Sequence, residues 1–357
     1  MEHRHQEQQN GLIASAVSEH HDASGKQQQT VNLTSYARLH MGFFDLHGGI
    51  GRKFGSIGLT LAEPSMRLSA KLSDEVKVDA VSTVPVALLE KVKRTSKDLL
   101  QQLNLQGGLH LHLHSHIPTH AGLGSGTQMA LSIGTVVSRL YGLGLSTAEI
   151  AGLTARGGRS GIGIAAFDVG GVLIDGGLAT TEHTANQSLR VPPLLARYDW
   201  PLDWRIILIL DTDGVGVHGK QEKEAFKHLP AFPAHVAAEL CRYTLMQIMP
   251  ALVEHDLESF GKGLQVLQAR IGDYFAPVQG GRYASQSVAA VLAYLDSTGL
   301  ACFGQSSWGP TGFAICENAI EAEKTVENLK EIFNNSGLTY LICSARNAGA
   351  HVYEEST

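Results

Sequence analysis

The sequence predicts a two-domain α+β protein, and three observations carry that expectation. The chain has 357 residues, 43% hydrophobic and 17% charged, which is enough apolar material for more than one core. Residues 118–128, Pro-Thr-His-Ala-Gly-Leu-Gly-Ser-Gly-Thr-Gln, join an alternating strand to a long apolar helix through a glycine-rich turn. Residues 304–343 read turn, strand, helix, strand, an order that suits an α+β sandwich.

Bulk properties narrow the function. A net charge of −6 and an isoelectric point near 6.3 give no global positive field for nucleic acid or an acidic membrane, so a small-molecule site is expected. Mean hydropathy is −0.01, and apolar runs such as residues 206–210 are too short to cross a bilayer. The amino terminus has no apolar stretch of signal-peptide type, and Cys241, Cys302, Cys316 and Cys343 form no Cys-x-x-Cys pair. These features predict a cytoplasmic protein with reduced thiols and no membrane partner.

Along the chain, residues 1–30 are polar, Gln-rich and aperiodic, and are expected to form a disordered arm. From residue 31, short β-like segments alternate with glycine-rich turns. Leu88, Val92, Leu99 and Leu103 give residues 87–105 helical spacing. Leucine and histidine then alternate, which places His110, His112 and His114 on one face of a strand. Imidazoles so spaced lie about 7 Å apart, wide for one tetrahedral zinc, and no acidic neighbour is adjacent in sequence. The row therefore reads as a polar strand face. A buried helix follows over residues 127–141, then a second glycine-rich stretch over 157–177. A shift in composition at Pro192, Pro193 and Pro201 places the boundary near residue 200, giving an amino-terminal domain 31–200 and a carboxy-terminal domain 201–357. Beyond it, residues 204–210 read as a buried strand and residues 232–270 as helix-rich.

The turn at 118–128 carries the chemistry. Gly122, Gly124 and Gly126 let the backbone turn tightly and approach a ligand, while the first N–H groups of the next helix point at an anion. The helix dipole there favours a negative group by about 0.3–1 kcal/mol. Ser125 and Thr127 add hydroxyls that can cap the helix and touch a phosphate together.

This loop resembles the phosphate loop of the galactokinase, homoserine kinase, mevalonate kinase and phosphomevalonate kinase (GHMP) superfamily, which normally reads Pro-x-x-x-Gly-Leu-Gly-Ser-Ser-Ala. The late Gly304-Gln-Ser-Ser-Trp-Gly-Pro-Thr-Gly stands where that superfamily keeps its carboxy-terminal glycine motif. The resemblance sharpens to the β-ribofuranosylaminobenzene 5′-phosphate synthase branch, also called the hydroxybenzene form. Its carriers are Ala37-Arg-Leu-His-Met-Gly-Phe-Phe-Asp-Leu, Gly51-Arg-Lys-Phe-Gly-Ser-Ile-Gly-Leu, the Gly-Ser-Gly-Thr-Gln loop, Gly157-Gly-Arg-Ser-Gly-Ile-Gly and Gly216-Val-His-Gly-Lys-Gln-Glu. It implies a GHMP-kinase-like fold with an amino-terminal α/β domain and a ferredoxin-like carboxy-terminal sandwich.

One departure separates the branches. Several of the kinases read Ser-Gly-Ile/Val-Asp in the middle glycine-rich segment, with the Asp as base; this chain reads Ser160-Gly161-Ile162-Gly163. Glycine cannot take a proton, which argues against phosphoryl transfer to an alcohol unless Asp168 or Asp175 compensates. The synthase reaction implied by the resemblance joins phosphoribosyl pyrophosphate to 4-aminobenzoate or 4-hydroxybenzoate, releasing pyrophosphate and carbon dioxide early in tetrahydromethanopterin biosynthesis. It would use magnesium with the pyrophosphate and needs neither pyridoxal phosphate nor thiamine diphosphate.

For this chemistry Arg38, Arg52, Arg159 and Lys220 are the cationic candidates, Arg159 with the phosphate loop and the others at the reacting centre. Asp45 is the acidic candidate, for metal binding or for stabilising an oxocarbenium-like carbon. His40 shares a strand face with Arg38, and His218 and Glu222 flank Lys220; all three are expected to line the substrate pocket. Asp211 and Asp213 end a strand in a turn that serves either structure or magnesium, and Trp308 suits core packing better than stacking on a substrate. The alternatives are an ATP-dependent kinase of the same superfamily and a non-catalytic nucleotide-binding module. Fold and family leave room for a homodimer, which no motif fixes.

Overall fold

The computed structural model describes residues 29–180, 191–211 and 229–356. Strands β1 (Gln29–Asp45) and β2 (Arg52–Ser73) form a long antiparallel hairpin. Alternate residues of β1 are buried from Val31 to Leu39, as expected for a sheet with one covered face. Beyond His40 both faces are covered. The sequence suggested short β segments here because two register shifts, at Tyr36/Arg38 and His40/Gly42, interrupt the alternation of one continuous strand.

The sheet widens with β3 (Lys77–Ala80), helix α1 (Val86–Gln102) and β4 (Gly108–Ser115), β4 pairing parallel with β3 and antiparallel with β2. On β4, Leu109, Leu111 and Leu113 are fully buried while the histidines face outward. The acidic partner absent from the local sequence comes from β3: Asp79 accepts from His110 at 2.6 Å and also bonds His112. Among the described residues no cluster of His, Cys, Asp or Glu forms a metal site.

Helices α2 (Ser125–Leu140) and α4 (Ile162–Asp168) cover this sheet, and α3 (Thr147–Leu153), which opens on a capping box between Ser146 and Glu149, packs against both helices. Strands β5 (Val172–Asp175) and β6 (Leu178–Ala179) pair with β2, and β7 (Leu194–Tyr198) pairs with β5.

The second half runs β8 (Arg205–Asp211), α5 (Ala234–Tyr243), a π-helical turn (Thr244–Ile248), α6 (Met249–Glu254), α7 (Leu257–Gln279), α8 (Gln286–Ser297), β9 (Phe303–Gln305), β10 (Gly312–Cys316), α9 (Ala319–Ile332) and β11 (Leu338–Cys343). Its antiparallel sheet has the order β11-β8-β10-β9, the ferredoxin-like arrangement that the resemblance implied. Ile207 and Ile209 pack with Val288, Leu292, Val326 and Leu329 in one core. Ile206 and Leu208 join Leu39, Phe260, Leu264 and Leu267 in the core of the first half. The two sheets thus enclose α7 from opposite sides.

Residues 201–357 are not one contiguous unit. Strand β12 (His351–Ser356) returns to the first sheet and pairs antiparallel with Gln29–Thr34 of β1, covering an edge that would otherwise expose unpaired backbone groups. Asn347 fastens this return: its side chain accepts from the Trp200 N–H at 2.7 Å and donates to the Trp200 carbonyl at 3.0 Å. Replacing Asn347 by Ala should cost about 1–3 kcal/mol, because two half-buried backbone groups lose their partners. Urea unfolding checks this; a midpoint unchanged from wild type would contradict the role.

Candidate active site

The glycine-rich turn sits at the open end of α2, and its shape follows from three residues in the left-handed region, His120 (φ 61°), Gly122 (φ 77°) and Gly124 (φ 83°). The late glycine motif holds it from behind. A Cβ on Gly122 would stand 2.9 Å from Gly309 Cα, and one on Gly309 would stand 2.5 Å from the Ala121 carbonyl. Ser306 Oγ donates to the Gly122 carbonyl at 2.9 Å and accepts from the His40 N–H at 3.1 Å, while Ser307 N–H donates to the His40 carbonyl at 2.9 Å. Three segments far apart in sequence are locked at one place, namely β1, the loop and the turn before β10.

A cleft of about 810 Å³ opens in front of this junction. One wall is cationic. Arg38 lies against Gly124 and donates to the Gly122 carbonyl, and its backbone N–H donates to the Leu123 carbonyl at 3.1 Å. Arg156 lies against Gly126, where a Cβ would be 3.5 Å from its guanidinium, and its Nε is buried with no hydrogen-bond partner among the described residues. Thr127, Arg159 and Ser160 complete this side, and Lys53 lines the cleft as well. The other wall is apolar and aromatic, with Phe43, Leu46, Phe54, Phe232 and Tyr274. His47 ties it to the β1–β2 hairpin by bonding the Phe232 carbonyl at 2.8 Å. Such a cleft can hold a polyanion and a flat apolar group side by side.

Of the residues expected from sequence, Gly122, Gly124, Ser125, Gly126, Thr127, Arg38, Arg159 and His40 converge at this cleft or on the loop beside it. Lys220, His218, Glu222 and Asp213 lie outside the described residues. Arg52 is engaged elsewhere: its side chain is exposed and donates to the carbonyls of Gly176 (2.7 Å) and Gly177 (2.6 Å), fixing the turn before β6. Asp45 Oδ1 accepts the N–H groups of His47 and Gly48 at 2.8 and 2.9 Å, which shapes the hairpin loop. Asp211 accepts from Ser285 Oγ at 2.6 Å, at the start of α8. Trp308 is buried against Phe275, as expected.

Neither alternative base reaches the cleft. Asp168 accepts from Thr147 Oγ1 at the far end of α4. Asp175 is fully buried and accepts from Ser56, Ser160 and the N–H groups of Gly161 and Gly177, so it shapes the Gly157–Ser160 segment from beneath. Burial pushes its carboxyl up while those hydrogen bonds oppose the shift. Gly163 packs on the loop itself: a Cβ there would be 3.0 Å from Thr127 Cγ2, and Gln128 Nε2 donates to its carbonyl at 2.8 Å.

Sequence reasoning missed Arg156, Lys53 and the aromatic wall. Arg156 immediately precedes the Gly157-Gly-Arg motif, and Lys53 follows Arg52 within the Gly51 motif, so both stood beside segments already singled out.

His40 has a defined charge state. It is 3% exposed, and burial first, with Arg38 and then Arg159, lowers its pKa from 6.5 to about 3, the hydrogen bond of its own backbone opposing. The native imidazole therefore stays neutral where the unfolded one takes a proton. Stability is full above about pH 6.5 and is lost as pH falls toward 3, by at most about 1.4 kcal/mol per pH unit. Urea unfolding of wild type and His40→Leu between pH 7 and 5 should show the steeper loss in wild type; parallel curves would contradict a neutral native His40.

Comparison with known proteins identifies the family and the fold. The family model described as the GHMP kinases N terminal domain matches residues 90–171, and the GHMP kinases C terminal model matches residues 248–335. A β-ribofuranosylphenol 5′-phosphate synthase of Methanocaldococcus jannaschii is 34% identical over 89% of this chain and 98% of its own length. The synthase of that name from Archaeoglobus fulgidus is 33% identical over 90% and 99%. Among solved structures, a homoserine kinase from Cytophaga hutchinsonii superposes with a TM-score of 0.61 at 15% identity, covering 94% of this chain and all of the other. The mevalonate diphosphate decarboxylase from Enterococcus faecalis superposes with a TM-score of 0.62 at 15% identity, covering 92% and 100%. At that identity the superpositions speak for the fold alone. With both domain models matched in order, and full-length relatives above 30% identity, the chain belongs to the β-ribofuranosylphenol 5′-phosphate synthase family, within the GHMP kinase fold.

Proposed function

We propose that this enzyme transfers ribose 5-phosphate from phosphoribosyl pyrophosphate to the carboxylate-bearing carbon of 4-hydroxybenzoate, releasing pyrophosphate and carbon dioxide. The product would be a ribofuranosylphenol 5′-phosphate, an early intermediate of tetrahydromethanopterin biosynthesis. The observation that carries the reading is a glycine-rich loop flanked by Arg38 and Arg156 at the cleft, while Gly163, which the sequence resemblance aligns with the kinase base, packs against Thr127 of that loop. Relatives named for a phenol product favour 4-hydroxybenzoate over 4-aminobenzoate.

The bookkeeping of the reaction fits that site. The anomeric C–O bond breaks and its electron pair leaves on pyrophosphate. A π pair of the ring forms the new C–C bond, the ring carbon loses carbon dioxide, and the C–C pair of the departing carboxylate restores aromaticity. No proton is removed from an acceptor hydroxyl, so no base is needed where the kinases place one. What the site must supply is stabilisation of the leaving charge and alignment of the two partners. Backbone N–H groups at the start of α2, with Arg38, Arg156 and Arg159, supply the first. The aromatic wall supplies the second by holding the ring. Magnesium, where present, would neutralise charge on the leaving pyrophosphate; among the described residues no group of three or more His, Cys, Asp or Glu lies together to hold it.

Carbon dioxide release from carboxyl-labelled substrate tests the proposal. Release should require phosphoribosyl pyrophosphate, be indifferent to ATP, and be faster with 4-hydroxybenzoate than with 4-aminobenzoate. Arg156→Ala should lower kcat/KM by about 10²-fold, as for loss of one donor to a developing anion, and Arg156→Lys should recover part of it. ATP-dependent phosphorylation of an alcohol, with no carbon dioxide, would replace this reading by the kinase one.

A further inference from the structure

His40 stands, with Phe43 and Ser307, where the cleft meets a second cavity. The smaller cavity lies behind it, lined by Gln268, Ile271, Phe275, Gln305 and Trp308, and shares His40, Phe43 and Ser307 with the large cleft as a partition. Its volume is about 30 Å³, the room of a single water. One oxygen-sized group fits there and an aromatic ring does not.

The imidazole itself is incomplete. Its backbone is clamped through Ser306 and Ser307, and its ring rests on Phe43 at 4.5 Å between centroids. Yet neither Nδ1 nor Nε2, both buried, has a hydrogen-bond partner in another residue among the described residues. A buried N–H left unpaired is costly, and such atoms call for a ligand. Of the neighbouring guanidiniums, Arg38 donates to the Gly122 carbonyl, Arg159 stands in the cleft on the side of the glycine-rich loop, and Arg282, at the rim of the small cavity, pairs with Asp273 at 2.7 and 3.0 Å.

We propose that His40 binds the carboxylate of the aromatic acid, one carboxylate oxygen seated toward the small cavity and the ring held in the large cleft against Phe43. This rests on the reaction proposed above. Its chemical sense lies in the fate of that carboxylate, whose charge disappears as carbon dioxide forms. A cation would grip the ground state harder than the transition state and slow its loss. The neutral imidazole derived above orients the group through one N–H without that penalty. His40 is accordingly an acceptor-binding residue, set between the phosphates on one side and the ring on the other.

The test is calorimetric binding of 4-hydroxybenzoate and of phenol, which lacks the carboxylate, to wild type, His40→Leu and His40→Asn, without phosphoribosyl pyrophosphate. His40→Leu should weaken 4-hydroxybenzoate at least tenfold and phenol less than twofold. His40→Asn, which keeps an N–H donor, should recover most of the loss and shows that the site is still folded. Steady-state kinetics should place the effect on KM for the aromatic acid, with KM for phosphoribosyl pyrophosphate within twofold of wild type. Equal weakening of both aromatics, unchanged binding, or a shift confined to phosphoribosyl pyrophosphate would overturn the assignment. Label release by wild type, read in parallel, separates the two failures: active wild type with unaffected variants removes only the role of His40, whereas wild type that releases no carbon dioxide removes the reaction as well.

Discussion

The close approach of Gly122 and Gly309 is the constraint on which the site depends. Neither position tolerates a Cβ, because each backbone lies where the other's side chain would be. That contact presses the phosphate loop onto the turn before β10 and lets Ser306 reach both the loop and His40. Arg38 then finds the Gly122 carbonyl, and α2 presents its first N–H groups to the cleft. Remove the contact and the loop, the strand and the late turn have no shared reference.

Electrostatics and shape divide the cleft between two kinds of ligand. Arg38, Arg156 and Arg159 gather on the side of the loop, while Phe43, Phe54, Phe232 and Tyr274 stand on the hairpin and helical side. Under the proposed function, the glycine-rich loop is the anion seat and no side chain is needed where the resemblance sets the kinase base. Gly163 is packed against Thr127, and the nearest buried carboxylate, Asp175, serves four donors beneath the cleft floor. A reaction that moves an electron pair to pyrophosphate and expels carbon dioxide suits that arrangement, since it asks for no proton acceptor at that position.

Much of the fold was legible because it depends on local periodicity and order. The helix after the loop, the strand at residues 205–211 and the turn, strand, helix, strand succession of residues 304–343 follow from spacing and turn chemistry, while the ferredoxin-like sheet order was implied by the resemblance. The long hairpin was harder, since its register shifts break the period that identifies a strand. The return of β12 was invisible: a short polar tail carries no sign of the edge it will cover.

The site was legible where a motif carries its own geometry, as in Gly122–Thr127, and illegible where function arises from packing between distant segments. Arg52 looked functional beside its glycines, yet its hydrogen bonds go to a neighbouring turn; Arg156 looked like an ordinary residue, yet the fold sets it over Gly126. The central claim is that the loop holds a leaving pyrophosphate between two arginines. A crystal structure with bound pyrophosphate tests it most directly: the account predicts the anion at the N–H groups opening α2, touched by Arg38 and Arg156, and an anion seated elsewhere in the cleft would contradict it.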